Sequence, residues 1–157
     1  MSKASKAILI TVIAVAVVVS TFVIVFIIVP FAQFMMLTPD KVYEANWNID
    51  LPDNYRAEYE VSTPASFHGD GTTYTVFRST NSRADIEIFI SDFSSSPSTD
   101  MEREVDDLLS ELPVDDEFKI DFEKQYLWKK LTKDDNDRLY IIYDVITEKL
   151  YFVQELI

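Results

Sequence analysis

Cysteine is absent from this 157-residue chain, histidine occurs once and glycine only twice. Without cysteine there is no disulfide and no residue to acylate, so a lipoprotein anchor is excluded and any folded part rests on its core. One histidine leaves a zinc site to be built mainly from carboxylates, an uncommon donor set, and neither a metal nor another cofactor is expected. A P-loop, a dinucleotide-binding fingerprint and an Asn-x-Ser/Thr sequon are all missing. Acidic residues are absent before Asp40, and charge of either sign is absent from Ala7 to Val29.

That uncharged run, AILITVIAVAVVVSTFVIVFIIV, also lacks Gly, Pro, Asn and Gln. As a helix it spans roughly 35 Å, against a bilayer core of about 30 Å. Lys3 and Lys6 precede it and only Lys41 lies close behind, so the positive-inside rule keeps the N-terminus in the cytoplasm. A cleaved signal peptide is the competing reading, but its apolar core normally has about 7–15 residues followed by a small-x-small site. Here Ala14-Val15-Ala16 falls within the run, and Pro30-Phe31-Ala32 is a poor site. The expected organisation is a cytoplasmic tail (1–6), a transmembrane anchor in contact with membrane lipid (7–29), a juxtamembrane linker (30–46) and an extracytoplasmic domain (47–157). The span has no ionisable group and no small-xxx-small glycine pattern, which argues against a pore and against strong self-pairing.

After the anchor, 27 acidic residues face 12 basic ones, a net charge of −15. Such a field disfavours nucleic acid and anionic lipid headgroups. A protein or cationic peptide partner is compatible with it, as is a solvated surface that keeps the domain off the membrane. Phe, Tyr and Trp recur throughout, which marks a folded composition despite the acidity.

Tyr55, Ala57, Tyr59 and Val61 alternate with polar residues and predict a strand with one face in water. Thr72–Ser79 and Asp85–Ser91 predict two more, joined by a tight turn at Asn81-Ser82-Arg83. Thr99-x-x-Glu102 reads as a capping box, followed by a helical stripe of Met101, Val105, Leu108, Leu109 and Leu112 that Pro113 ends. Phe118–Phe122 (continuing through Trp128), Leu139–Asp144 and Leu150–Leu156 supply the remaining strands. The order β-β-β-α-β-β-β implies an α+β fold, an antiparallel sheet with one helix packed on its apolar face.

Both glycines and the only histidine fall in Ser66-Phe67-His68-Gly69-Asp70-Gly71. As a structural loop, Gly69 and Gly71 supply positive φ and Asp70 bonds its own backbone. As a binding loop, the glycines let the backbone approach a ligand that Ser66, His68 and Asp70 contact. Ser66, His68 and Asp70 have the residue types of a hydrolase triad, but a triad is assembled in line from separated segments with an oxyanion hole. Alternating neighbours rarely achieve this, so no catalytic residue is assigned. Asp134-Asp135-Asn136-Asp137 lacks the glycine and distal glutamate of a calcium loop and reads as a solvated turn.

With Tyr74-Thr75-Val76-Phe77 and the hairpin of Leu139–Tyr143 and Leu150-Tyr151, the S-F-H-G-D-G element resembles small exported proteins of low-GC Gram-positive bacteria. These are held by a membrane helix or a lipid. The resemblance covers residues 47–157 and implies an envelope location without an assigned activity, so it transfers no catalytic residue. The expected function is a non-catalytic binding or accessory protein of the cell envelope, immunity-type proteins against a cationic toxin included. The alternative is an envelope-acting enzyme with His68 as acid–base.

Overall fold

Residues 74–77, 139–143 and 150–153 are apolar or aromatic at almost every position, and strands of that kind need a cover on both faces. The computed structural model, which describes residues 3–29, 38–64, 70–80, 86–133 and 136–157, supplies both covers. The chain divides into two units, Met1–Thr38 and Pro39–Ile157.

In the first unit the backbone is α-helical over Lys3–Val23 (α1) and π-helical over Ile24–Ile28. Side chains are described for residues 12, 13, 15–27 and 29, and all of them are exposed. Thr21 donates its hydroxyl to the Val17 carbonyl at 2.9 Å, and Phe22 stacks on Phe26 at 4.7 Å. Among the described residues no helix is long and apolar enough to cross a membrane, so the spanning helix expected over 7–29 is not found as such.

The second unit is α+β. Its strands are β1 (Tyr55–Ser62), β2 (Gly71–Ser79), β3 (Tyr126–Thr132), β4 (Arg138–Asp144) and β5 (Lys149–Leu156). They form one antiparallel sheet in the order β1-β2-β5-β4-β3. The last strand therefore takes the centre, with Phe152 opposite Thr75 on one side and Ile141 on the other. A tight turn leads into it: the Asp144 carboxylate accepts the N–H groups of Ile146 (2.7 Å) and Thr147 (2.9 Å).

One face is covered by α2 (Pro39–Trp47), by residues 48–54 and by α3 (Ile86–Phe89). Pro39 suits a first helical position and Asp40 the positive end of the dipole, while Tyr43 and Trp47, four residues apart, share one buried stripe. Tyr43 meets Phe152 edge-on at 4.9 Å and Phe77 at 5.9 Å. Buried rings with polar tips need partners. The Tyr43 hydroxyl pairs with Thr75 Oγ1 at 3.0 Å, and Trp47 Nε1 donates to Gln154 Oε1 at 3.1 Å.

The other face is covered by α4 (Thr99–Ser110) and by residues 112–125, which include a 3₁₀ turn at Asp116–Phe118. Met101, Val105 and Leu112 are buried against Tyr74, Tyr140 and Ile142, while Leu108 and Leu109 are half-buried. Ser98 caps α4, its hydroxyl accepting from Met101 N–H at 3.3 Å. Glu102 takes the Tyr126 hydroxyl instead of closing a capping box on Thr99. Glu104 accepts from Lys130 (2.6 Å) and Tyr140 (2.5 Å), and these two contacts, Lys130 first, hold its carboxyl below the usual range.

The strand order β-β-β-α-β-β-β is thus corrected, and its causes are local. In residues 86–93 the side chains of Ile86, Phe89, Ile90 and Phe93 recur at helical spacing and turn inward, whereas Ile88 stands 79% exposed. Helical period wins over the Ile86-Ile88-Ile90 alternation. Phe118, Ile120 and Phe122 do pack on the second core, but Phe118 ends the 3₁₀ turn and Phe122 lies in a further turn, and no strand among the described residues pairs with them. Residues 39–46, expected as linker, belong to α2. A register shift between Ala57 and Tyr59 moves β1 from one face to the other, so Tyr55 and Ala57 join the first core and Tyr59 and Val61 the second. The expected turn at 81–83 lies outside the described residues.

Candidate functional site

Of the loop singled out in the sequence, Ser66, His68 and Gly69 lie outside the described residues. Asp70 is exposed. Gly71 opens β2 opposite Leu156, with φ at +152°, a conformation side chains resist. A Cβ there would collide with the Thr63 hydroxyl, and that oxygen is already engaged, accepting from Thr72 N–H at 3.0 Å. Thr63 N–H in turn donates to the Thr72 carbonyl at 2.9 Å. Gly71 therefore serves the closure of the β1–β2 ladder. Among the described residues no group of three or more acidic or histidine side chains is placed to hold a metal ion. Asn136, with φ at +66°, closes a turn in which Lys133 N–H donates to the Asp137 carbonyl at 3.0 Å; residues 134 and 135 lie outside the described set.

Among the described residues the cover over the first face leaves a groove. Between residues 48–53 and 88–93 runs a groove of about 670 Å³, within the size range of ligand sites. Its floor is apolar: Leu51 from the loop and Ile141 from β4, both core residues. Ile49, Ile88, Phe89 and Phe93 form its walls, and Asp50, Asp53, Asp92 and Lys129 stand on its rim.

Local chemistry fixes both walls. Asn48, at φ +51°, turns the chain out of α2 and across the sheet. The Pro52 carbonyl then accepts Tyr55 N–H at 2.9 Å, and the Asn54 carbonyl accepts both Thr80 N–H (2.7 Å) and the Thr80 hydroxyl (2.9 Å). On the other side, two backbone bonds between Ser94 and Trp128, at 2.8 and 3.0 Å, attach residues 86–94 to β3. Phe89 and Phe93 pack ring to ring at 5.5 Å, and the Ser91 hydroxyl donates to the Ile88 carbonyl at 2.7 Å.

The rim is negative. Lys129 donates to Asp92 at 2.6 Å, which leaves Asp50 and Asp53, both exposed and neither in an ion pair among the described residues. Such an arrangement can take an apolar side chain on its floor and a cation at its edge. None of these residues was singled out from the sequence. The available signal was the helical spacing of Ile86, Phe89, Ile90 and Phe93, which leaves Ile88 without a place in the core.

Comparison with protein-family models, curated proteins and solved structures gives no match for the chain.

Proposed function

We propose that this chain is a single-pass protein of the cell envelope, anchored by residues 7–29, whose acidic domain binds a protein or cationic peptide outside the membrane. The uncharged run with lysines before it supports the anchor and an N-terminus in the cytoplasm. The net charge of −15 after the anchor favours a positively charged partner over nucleic acid. An accessory role and an immunity-type role use the same chemistry.

The observation that carries binding is the groove, open to solvent beside the exposed Ile88 and based on buried Leu51 and Ile141, next to carboxylates that have no ion pair among the described residues. Its test is a photo-crosslinking residue at position 88 of the full chain in intact cells, with one at position 107 of α4 for comparison. Position 88 is expected to capture a discrete protein or peptide that position 107 does not. Equal capture from both positions, or none from either, contradicts the assignment.

A further inference from the structure

Resting on that binding reading, we infer that the groove takes a basic segment of its partner, seating one aliphatic or aromatic side chain on Leu51 and Ile141 while flanking lysines or arginines pair with Asp50 and Asp53. The inference joins two independent properties of the same place. The first is apolar: the floor belongs to the first core, yet the groove above it is open and Ile88 projects beside it, 79% exposed. A side chain laid in the groove covers Ile88 from water and packs on Leu51 and Ile141, which are already buried, and hydrophobic burial in a preformed pocket is the usual anchor of a peptide contact.

The second is electrostatic. Asp92 is answered within the domain by Lys129, so a partner's cation gains most at Asp50 and Asp53, which have no ion pair among the described residues. Glu87, exposed on the neighbouring α3, adds to the same sign. An acidic segment would set its own charges against two carboxylates that have no ion pair among the described residues, which is a rejection as well as a missing attraction. The acidic surface at the end of α4, with Asp107 and the C-capping Glu111 exposed, supplies the general field but not this pairing of floor and rim.

The test uses the full chain in nanodiscs of neutral phosphatidylcholine and the fluorescence anisotropy of a dye-labelled peptide of alternating lysine and leucine. Empty nanodiscs set the background. The double variant D50K/D53K is expected to weaken binding about tenfold or more, and Ile88→Ser severalfold, while D107K/E111K, which changes the net charge equally, stays within about twofold. All four aspartate and glutamate positions are exposed, so the variants retain the fold, and a thermal melt checks this. A glutamate–leucine peptide is expected not to bind, and a peptide of lysine alone to bind about tenfold more weakly. Equal losses in the two double variants would assign binding to the overall field and overturn the inference. Undiminished binding in D50K/D53K would place the site elsewhere. Failure of the wild-type chain to bind the peptide would reject the basic segment, while capture from position 88 would still hold the groove as a binding site.

Discussion

Replacing Phe152 by alanine is expected to lower the unfolding free energy of the Pro39–Ile157 unit by about 3–5 kcal/mol. Phe152 is fully buried at the middle of the central strand, between Thr75 of β2 and Ile141 of β4. Its ring lies 4.9 Å from Tyr43 and 4.9 Å from Phe77, so the deletion opens a cavity under α2 where two other aromatic rings lose their neighbour. A domain of this size is stable by roughly 5–15 kcal/mol, so the loss is a large share of the total. Urea titration should show a lower midpoint with an unchanged slope. Ile146→Ala, at an exposed turn position, should differ from the wild type by less than about 0.5 kcal/mol. A loss below about 1 kcal/mol for Phe152→Ala would mean that α2 and the sheet do not press together as described.

The second large effect concerns where the domain begins. A protein starting at Pro39 is expected to fold, whereas one starting at Asn48 is expected to remain unfolded or to aggregate. The shorter chain lacks Tyr43 and Trp47, each worth about 3–5 kcal/mol on the scale of large aromatic deletions, and their sum reaches the range of the domain's whole stability. It also uncovers Phe77, Leu139 and Phe152 and leaves Thr75 Oγ1 and the buried Gln154 without their α2 partners. Circular dichroism and the dispersion of amide resonances read the outcome. A folded, cooperative protein starting at residue 48 would show that α2 is an accessory to the domain rather than part of its core.

β1, β2, β4 and β5 were legible because alternation or continuous apolarity marks each within its own segment, whereas their pairing, β2 with β5 for one, joins segments far apart in the chain. The errors arose where one periodicity fits two structures. Ile86 and Ile90 suit a strand and a helix alike, and only the exposure of Ile88 decides between them. Phe118, Ile120 and Phe122 alternate in the sequence, yet they fall in a 3₁₀ turn, irregular chain and a second turn, so alternation there does not imply a strand. The bulge after Ala57 is invisible to a fixed period, since it reverses which residues of β1 face which core. The double cover was legible in principle: residues 139–143 and 150–153 leave no polar face to meet water. The groove could not be read, because its walls come from segments 48–53 and 88–93 that only the sheet brings together. The Thr38-Pro39-Asp40 start of α2, followed by Tyr43 and Trp47, was a readable helix signal.

The central claim, a domain held outside the membrane by an uncleaved helix, is tested most directly by exploiting the absence of cysteine. Single cysteines at Ser2 and at the exposed Asp107 report on the two sides of the proposed anchor. With a membrane-impermeant maleimide, the account predicts that Asp107→Cys is labelled in intact cells and stays in the membrane fraction, while Ser2→Cys is labelled only after permeabilisation. Labelling of Ser2→Cys alone in intact cells, or recovery of labelled Asp107→Cys protein from the medium, would contradict it.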